Sequence, residues 1–384
     1  MMEFQSLVTA FRNLPHRAER TATRLEERQR DKEVHKKQLA ELCRRSPAIV
    51  RFIERNVSIF NGSAGNASRF DVLHALLDEQ AYRLAHWRVA ADEINYRRFF
   101  DINDLAGLRM ENAAVFDATH RFIVELIAKH QLDGLRIDHP DGLYDPLQYY
   151  QRLQRSVAAA GSPGLYVVVE KILAGHEHLP ESWPVSGTTG YDFANLVNGL
   201  FVYAPAERAM DRVYARMTGR TLDFDELLYE RKRLIMRVSL SSELHVLANQ
   251  LGRIAESDRH TRDFTLTALR EALMEVVARF PVYRTYVTAA GASAEDRRDV
   301  DWAVAQAKKH SPAAEISIFD FVRGILLLEG LEQRPPAYRQ AAADFAMRFQ
   351  QYTAPVMAKG LEDTSFYIYN RLVSANEVGG DPDR

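Results

Sequence analysis

The segment between residues 113 and 170 alternates between helical and extended patterns, and this alternation limits the possible folds. Residues 113 to 130 place apolar side chains on one helical stripe, namely Val115, Phe116, Phe122, Ile123, Leu126 and Ile127. A short extended run, Gly134–Asp138, comes next, a second helical pattern continues to Val157, and Leu165–Glu170 reads as a β-branched strand. Helix, strand, helix and strand in this order predict parallel strands joined by helices, so we expect an α/β fold.

The composition excludes several classes of function. The chain of 384 residues carries 50 basic and 52 acidic side chains, so it has no net field that would attract nucleic acid or an anionic membrane. Cys43 is the only cysteine, which rules out an internal disulfide and suits a reducing compartment. No secretion signal and no apolar stretch of membrane-spanning length is present. From these features we expect a soluble, cytoplasmic protein. We also expect no metal and no cofactor, because the sequence contains no metal-ligand cluster and no phosphate-binding loop.

Two acids end the predicted parallel strands, Asp138 on the first and Glu170 on the second. In barrels of alternating strands and helices, the carboxyl ends of the strands carry the chemistry, so the two side chains can converge in one pocket. Retaining glycoside chemistry needs two carboxyl groups about 5 Å apart, and neighbouring strands lie about 4.8 Å apart. An acid at this position is also a common helix N-cap, and spacing alone favours that role for either residue.

The surroundings of the two acids predict different protonation states. Arg136 lies two residues before Asp138, so strand alternation puts both on one face, and the guanidinium would hold Asp138 ionised. Glu170 follows three valines, an apolar setting that favours the protonated acid. These environments suit a nucleophile and a proton donor.

At these residues the sequence resembles the α-amylase superfamily, and more specifically the maltooligosyl trehalose synthase family. The resemblance extends in the family's order from about Leu73 to the carboxyl terminus. It is carried by the segments Tyr96–Asn103, Asp133–Leu143, Val169–Ile172, Gly187–Phe193, Ala358–Thr364 and Asn376–Gly380.

The resemblance implies a role for each acid and its neighbours. Asp138 would be the nucleophile and Glu170 the acid/base, with Arg136 orienting Asp138, while His139 and Asp141 would line the sugar subsites. The family rearranges the reducing end of an α-1,4-glucan into an α,α-1,1 (trehalose) linkage. The released glucose, rather than water, resolves the glycosyl intermediate.

Two further groups are candidates for substrate binding. Tyr191 and Asp192 would hold the terminal sugar, because an aromatic face and a carboxylate suit rings and hydroxyls. Lys359, Glu362 and Asp363 match a family segment and are expected near the substrate, although an ordinary surface ion pair is an equally good interpretation of them.

The resemblance also implies a fold and a division of the chain. We expect a partial (β/α)8 TIM barrel of the α-amylase type with a large inserted helical subdomain. The predicted divisions are a charged helical segment (1–69), a barrel segment with both acids (70–200), the inserted helices (201–350) and a return to the barrel (351–384). The return rests on an apolar run at residues 352–359 that we interpret as a strand.

The family pattern is not complete in this chain. It includes an earlier conserved strand region and a later His-Asp pair that supplies a third acid, and no His-Asp dipeptide occurs here. We therefore expect an internal portion of such an isomerase, inactive by itself, whose partner is a maltooligosaccharide or α-1,4-glucan. The alternatives are an α-1,4-glucan hydrolase and a non-catalytic glucan-binding remnant.

Overall fold

The structure is a computed structural model that describes residues 2–16, 18–19, 21–63, 65, 67–311 and 316–383. Parts of the predicted divisions 1–69, 201–350 and 351–384 lie outside those ranges. The chain forms two compact units, Met1–His86 and Trp87–Arg384. Within the described ranges, no helix is both long and apolar enough to cross a bilayer.

The first unit is helical. Its α-helices are α1 (Met2–Arg12), α2 (Ala22–Arg45), α3 (Pro47–Phe60) and α4 (Asp71–Asp78), and a 3₁₀ turn spans Ala67–Phe70. Helix α2 alternates acids and bases on exposed faces, whereas Leu7, Leu42 and Ile49 are buried together. The apolar residues of these helices are sparse, so the core of this unit is small.

The second unit contains a two-stranded antiparallel hairpin and a three-stranded parallel sheet. The hairpin is formed by β1 (Arg98–Phe99) and β2 (Ile102–Ala106). The parallel sheet has the order β3 (Gly134–Ile137), β4 (Tyr166–Val169) and β5 (Gly187–Thr188). Val167 and Val169 are buried, as expected for a parallel strand covered by helices.

Helices make up most of the rest of this unit. They are α5 (Ala90–Glu93), α6 (Ala113–Ala128), α7 (Pro146–Ala159), α8 (Tyr191–Gly199), α9 (Glu207–Thr218), α10 (Phe224–Val238), α11 (Ser241–Glu256), α12 (Leu266–Ala278), α13 (Ala294–His310), α14 (Ser317–Leu326), α15 (Pro336–Gly360) and α16 (Phe366–Ile368). A π-helical turn, Leu361–Ser365, joins α15 to α16, and 3₁₀ turns span Trp87–Val89, Pro140–Gly142, Ala204–Ala206 and Val373–Ala375. The described structure is therefore α/β and mostly helical, with a short parallel sheet.

The predicted strand at residues 352–359 is wrong, because this run is the last part of helix α15. Its residues are buried on several sides, including Tyr352, Ala354 and Val356. A short, uniformly apolar run has no period that separates a buried helix from a buried strand, which explains the error.

The helix that follows β3 is capped by a residue other than Asp138. The N-cap of α7 is Asp145, whose carboxylate accepts a hydrogen bond from the Gln148 backbone N–H. No α-helix follows Glu170 directly, since residues 171–186 form a loop. The helix-cap interpretation of both acids is therefore wrong, and their carboxylates are available for other contacts.

Candidate active site

Asp138 and Glu170 lie side by side at the carboxyl edge of the parallel sheet. Strands β3 and β4 pair in register, with Ile137 opposite Val169, so each acid follows its strand at the same level. The Glu170 backbone N–H donates to the Ile137 carbonyl at 2.9 Å and continues the pairing. The side chain of Asp138 is 57% exposed, whereas that of Glu170 is 22% exposed.

One guanidinium contacts both acids. Nη1 of Arg136 donates to Oδ1 of Asp138, and Nη2 lies 3.5 Å from Oε1 of Glu170. Residues two apart on a strand share a face, so the alternation that the sequence shows places Arg136 beside Asp138. The cation favours the ionised form of Glu170.

Glu170 is held by two further donors. The His139 backbone N–H donates to Oε2 at 2.8 Å, and the Tyr191 hydroxyl donates to Oε1 at 3.3 Å. Burial is the main cause that raises the pKa of Glu170, and the neighbouring Asp138 adds to it, while the His139 N–H and Arg136 oppose it. Glu170 therefore retains its proton to a higher pH than an exposed glutamate, which suits a proton donor.

His139 is fixed by its backbone and by an aromatic wall. It adopts a left-handed conformation with φ 45°, which is uncommon for a residue other than glycine. Its ring centroid lies 4.3 Å from that of Phe100 and 5.4 Å from that of Phe99, and burial lowers the pKa of the imidazole. A Cβ on Gly142 would lie 2.6 Å from Cδ2 of this ring, so the position needs glycine.

Asp141 is buried next to a lysine rather than at the exposed edge. Its side chain is 7% exposed, Oδ2 lies 3.5 Å from Nζ of Lys171, and Oδ1 accepts from the Tyr286 hydroxyl. The structure therefore places it behind the segment that carries His139. Its role as a sugar contact stays a prediction.

The β1–β2 hairpin supplies the aromatic wall and is anchored by Arg98. This buried guanidinium donates to both carboxylate oxygens of Glu243, at 2.9 and 3.0 Å, and to Oδ1 of Asn103 at 2.8 Å. A bidentate pair of this kind has a defined geometry, so it holds the hairpin in one orientation relative to α11. It therefore also fixes the turn that contains Phe100 and Asp101.

Lys359 contacts this turn from the end of α15. Nζ lies 3.2 Å from Oδ1 of Asp101, 2.8 Å from Oδ2 of Asp363 and 5.6 Å from the Phe100 ring centroid. The ion pair with Asp363 that the sequence left open is therefore present, and Lys359 also reaches the aromatic wall.

Glu362 lies in the π-helical turn after α15 and accepts a hydrogen bond from the Tyr283 hydroxyl. Burial raises the pKa of Glu362, and the charges of Asp363 and Glu170 add to that effect.

Tyr191 is positioned by α8, whose N-cap Gly190 has φ 87°. Asp192, on the same helix, is exposed, and its Oδ1 accepts a hydrogen bond from the Thr188 hydroxyl at 3.5 Å.

The structure thus brings three of the eight predicted binding residues into contact with the two acids. Arg136, His139 and Tyr191 contact Asp138 or Glu170 directly. The sequence interpretation missed Phe99, Phe100 and Tyr283, although the two phenylalanines lie in the quoted segment Tyr96–Asn103. Tyr283 lies in none of the segments that the sequence analysis singled out.

Among the residues that the structure describes, no group of three or more His, Cys, Asp or Glu is arranged to hold a metal ion.

Fold and site together define a class: α/β proteins with a carboxylate pair and a bridging arginine at the carboxyl ends of adjacent parallel strands. No family model matches the sequence. A curated relative, the putative maltooligosyl trehalose synthase of Mycobacterium tuberculosis (strain H37Rv), is 32% identical over 310 residues, 81% of this chain and 36% of the relative. The chain therefore spans about a third of that relative's length.

Solved structures give the same result. The maltooligosyltrehalose synthase from Arthrobacter ramosus is 36% identical with a TM-score of 0.68, over 83% of this chain and 37% of that one. The hypothetical maltooligosyl trehalose synthase of Sulfolobus tokodaii is 30% identical with a TM-score of 0.60, over 80% and 35% of the two chains. The chain is homologous to a part of the maltooligosyl trehalose synthases, and the resemblance found in the sequence is confirmed.

Proposed function

We propose that this chain carries the nucleophile and the acid/base of an enzyme that converts the reducing-end α-1,4 linkage of maltooligosaccharides to an α,α-1,1 linkage, in trehalose biosynthesis. The observation that supports it most strongly is the convergence of Asp138 and Glu170, bridged by Arg136, at adjacent parallel strand ends. In this proposal β3, β4 and β5 belong to a (β/α)8 barrel of the α-amylase type.

Each residue then has a chemical task. Glu170 donates its proton to the oxygen of the last α-1,4 linkage while a carboxylate oxygen of Asp138 bonds to the anomeric carbon, so the linkage breaks and a covalent glycosyl intermediate forms. The released glucose turns, and its own anomeric hydroxyl attacks the intermediate. Glu170, now ionised, takes the proton of that hydroxyl, and the bond to Asp138 breaks.

The remaining candidates bind substrate in this proposal. Arg136 orients Asp138, and the exposed side of Asp138 faces the sugar. His139, held neutral by burial, and Tyr191 contact hydroxyl groups next to Glu170. Lys359, Glu362, Asp363 and Asp192 complete the binding surface that retains the released glucose and excludes water. Asp141 supports this surface from its buried position against Lys171.

The test is to incubate the purified chain with maltopentaose and to follow reducing ends and free glucose together. Loss of reducing ends without free glucose supports the rearrangement, whereas release of glucose indicates an α-1,4-glucan hydrolase. Asp138→Asn should abolish either reaction. Asp133→Asn is the matched control, since this exposed aspartate precedes the same strand at its opposite end.

A chain without activity is tested in a second way. Binding of maltopentaose to the wild-type chain, weakened by Asp138→Asn and Tyr191→Phe but not by Asp133→Asn, places the glucan at this site without turnover. Absence of both turnover and binding contradicts the proposal for this chain.

A further inference from the structure

Lys171 follows Glu170 directly and is completely buried. Its side chain has no exposed surface, and Nζ lies 2.8 Å from Oε1 of Glu177 and 3.5 Å from Oδ2 of Asp141. The third contact of the ammonium is a hydrogen bond to the Ile172 carbonyl at 2.8 Å. Burial acts to lower the pKa of Lys171, but the charges of Asp141 and Glu177 together raise it, so this lysine is a cation in the folded protein.

Asp141 is held on its other side by residues from a distant part of the chain. The Tyr286 hydroxyl donates to its Oδ1. The buried guanidinium of Arg284 donates to the backbone carbonyls of Asp141 at 2.9 Å and of Leu143 at 2.6 Å. The backbone after β3 is therefore attached to the loop at residues 284–286 as well as to Lys171.

The ion pair joins the two segments that carry the reactive acids. Asp141 lies three residues after Asp138, and Lys171 lies one residue after Glu170. The same two segments are also joined by a hydrogen bond, which the His139 backbone N–H donates to Oε2 of Glu170 at 2.8 Å. A buried ion pair adds little net stability, because desolvation of both charges offsets their attraction, so the main effect of this pair is on geometry.

We propose that Lys171 and Asp141 are positioning residues whose buried ion pair holds the backbone after Asp138 against the backbone after Glu170, and so keeps the His139 N–H on the Glu170 carboxylate. The hydrogen bond favours ionised Glu170, which lets the group alternate between acid and base. The importance of that alternation rests on the proposed function, but the bond itself is measured without any reaction.

Several charged and titratable groups lie near Glu170 and affect its titration. They are Asp138 and Arg136 at the end of β3, His139 after it, Tyr191 at the start of α8, and Glu362 in the turn after α15. The variants that remove the ion pair change none of these groups.

The experiment is a pH titration of the whole chain labelled with ¹⁵N only at histidine, of which there are 12. The His139 amide signal is the one that disappears in His139→Gln. The part of the pH dependence of this signal that is lost in Glu170→Gln comes from Glu170. In the wild type we expect this amide proton at low field, because it is bonded to a carboxylate, and we expect it to titrate with Glu170.

Two variants remove the ion pair. Lys171→Met leaves two buried carboxylates without a cation, and the combination Lys171→Met, Asp141→Asn and Glu177→Gln removes all three charges while keeping similar shapes. We expect the His139 amide to lose its low-field position, and the titration midpoint of Glu170 to rise by about one pH unit, the equivalent of one hydrogen bond.

Lys232→Met is the matched control. Lys232 is also fully buried, but its Nζ donates to the Phe280 carbonyl at 2.9 Å. This variant should leave the His139 amide unchanged. Folded ion-pair variants with an unchanged His139 shift and midpoint would overturn the proposal. Loss of folding in both variants would overturn it too, by showing a general structural role.

Discussion

Nη2 of Arg136 lies 3.5 Å from Oε1 of Glu170, while Nη1 of the same guanidinium contacts Asp138. One planar cation therefore faces two acids that follow different strands. A lysine at this position has a single ammonium and cannot reproduce this forked geometry.

Arg136→Lys is expected to lower the rate of the sugar reaction by about 100-fold, because the two carboxyl groups lose their common partner and shift relative to the substrate. The rate with maltopentaose measures this effect, and the affinity for maltopentaose measures it where the chain binds sugar without turnover. Arg121→Lys, an exposed change on α6, is the control, and equal rates for the two variants would contradict the prediction.

Glu170→Gln is expected to change how stability depends on pH. The pKa of Glu170 is raised on folding, so the folded state binds more protons than the unfolded state between the ordinary glutamate pKa and the raised one. The wild type therefore loses stability as the pH rises through this interval, whereas the glutamine variant does not. Urea unfolding from pH 4 to pH 8 should show a difference in free energy of unfolding that grows with pH in favour of the variant. A constant difference would argue against a raised pKa.

Gly142→Ala is expected to destabilise the protein by about 1–3 kcal/mol, because the new Cβ would overlap the His139 ring and force it away from Phe100. Chemical unfolding measures the loss. Gly324→Ala is the matched control: this glycine lies inside helix α14 with open space around its Cβ position. Alanine there should be neutral or stabilising by up to about 1 kcal/mol. A similar loss in both variants would exclude the proposed overlap.

Lys232→Met is expected to stabilise the protein near neutral pH. Burial, with the nearby Arg279, lowers the pKa of Lys232 to about 7. The unfolded state therefore binds more protons than the folded state above that pH, so the stability of the wild type rises from about pH 7 towards the ordinary lysine pKa. Methionine removes this slope and should add roughly 1–4 kcal/mol at neutral pH, the range found when buried charges are replaced by apolar side chains.

The measurement for Lys232 is urea unfolding of the wild type and the variant between pH 6 and pH 10. The two curves should approach each other as the pH rises. Parallel curves across this range would show that the lysine is ionised in the folded state. Lys308→Met, which removes the partner of Asp320 at the surface, should change the stability by less than about 1 kcal/mol.

The sequence by itself determined the parallel strands and the acids at their ends. The apolar periods of residues 113–170 are local, and strand alternation alone puts Arg136 and Asp138 on one face. Parallel pairing then brings Glu170 to the same edge, because both strands end at the same level. Local chemistry was sufficient for this part of the site.

Only the tertiary structure decided the surroundings of those acids. Tyr283 reaches Glu362, Arg98 reaches Glu243, and Lys359 reaches Asp101, each across a long stretch of chain. Asp141, which stands within the segment Asp133–Leu143, is buried against Lys171, and the run at 352–359 is a helix rather than a strand. Such contacts depend on how elements that are distant in the sequence pack together. Local patterns of apolar residues do not predict this packing.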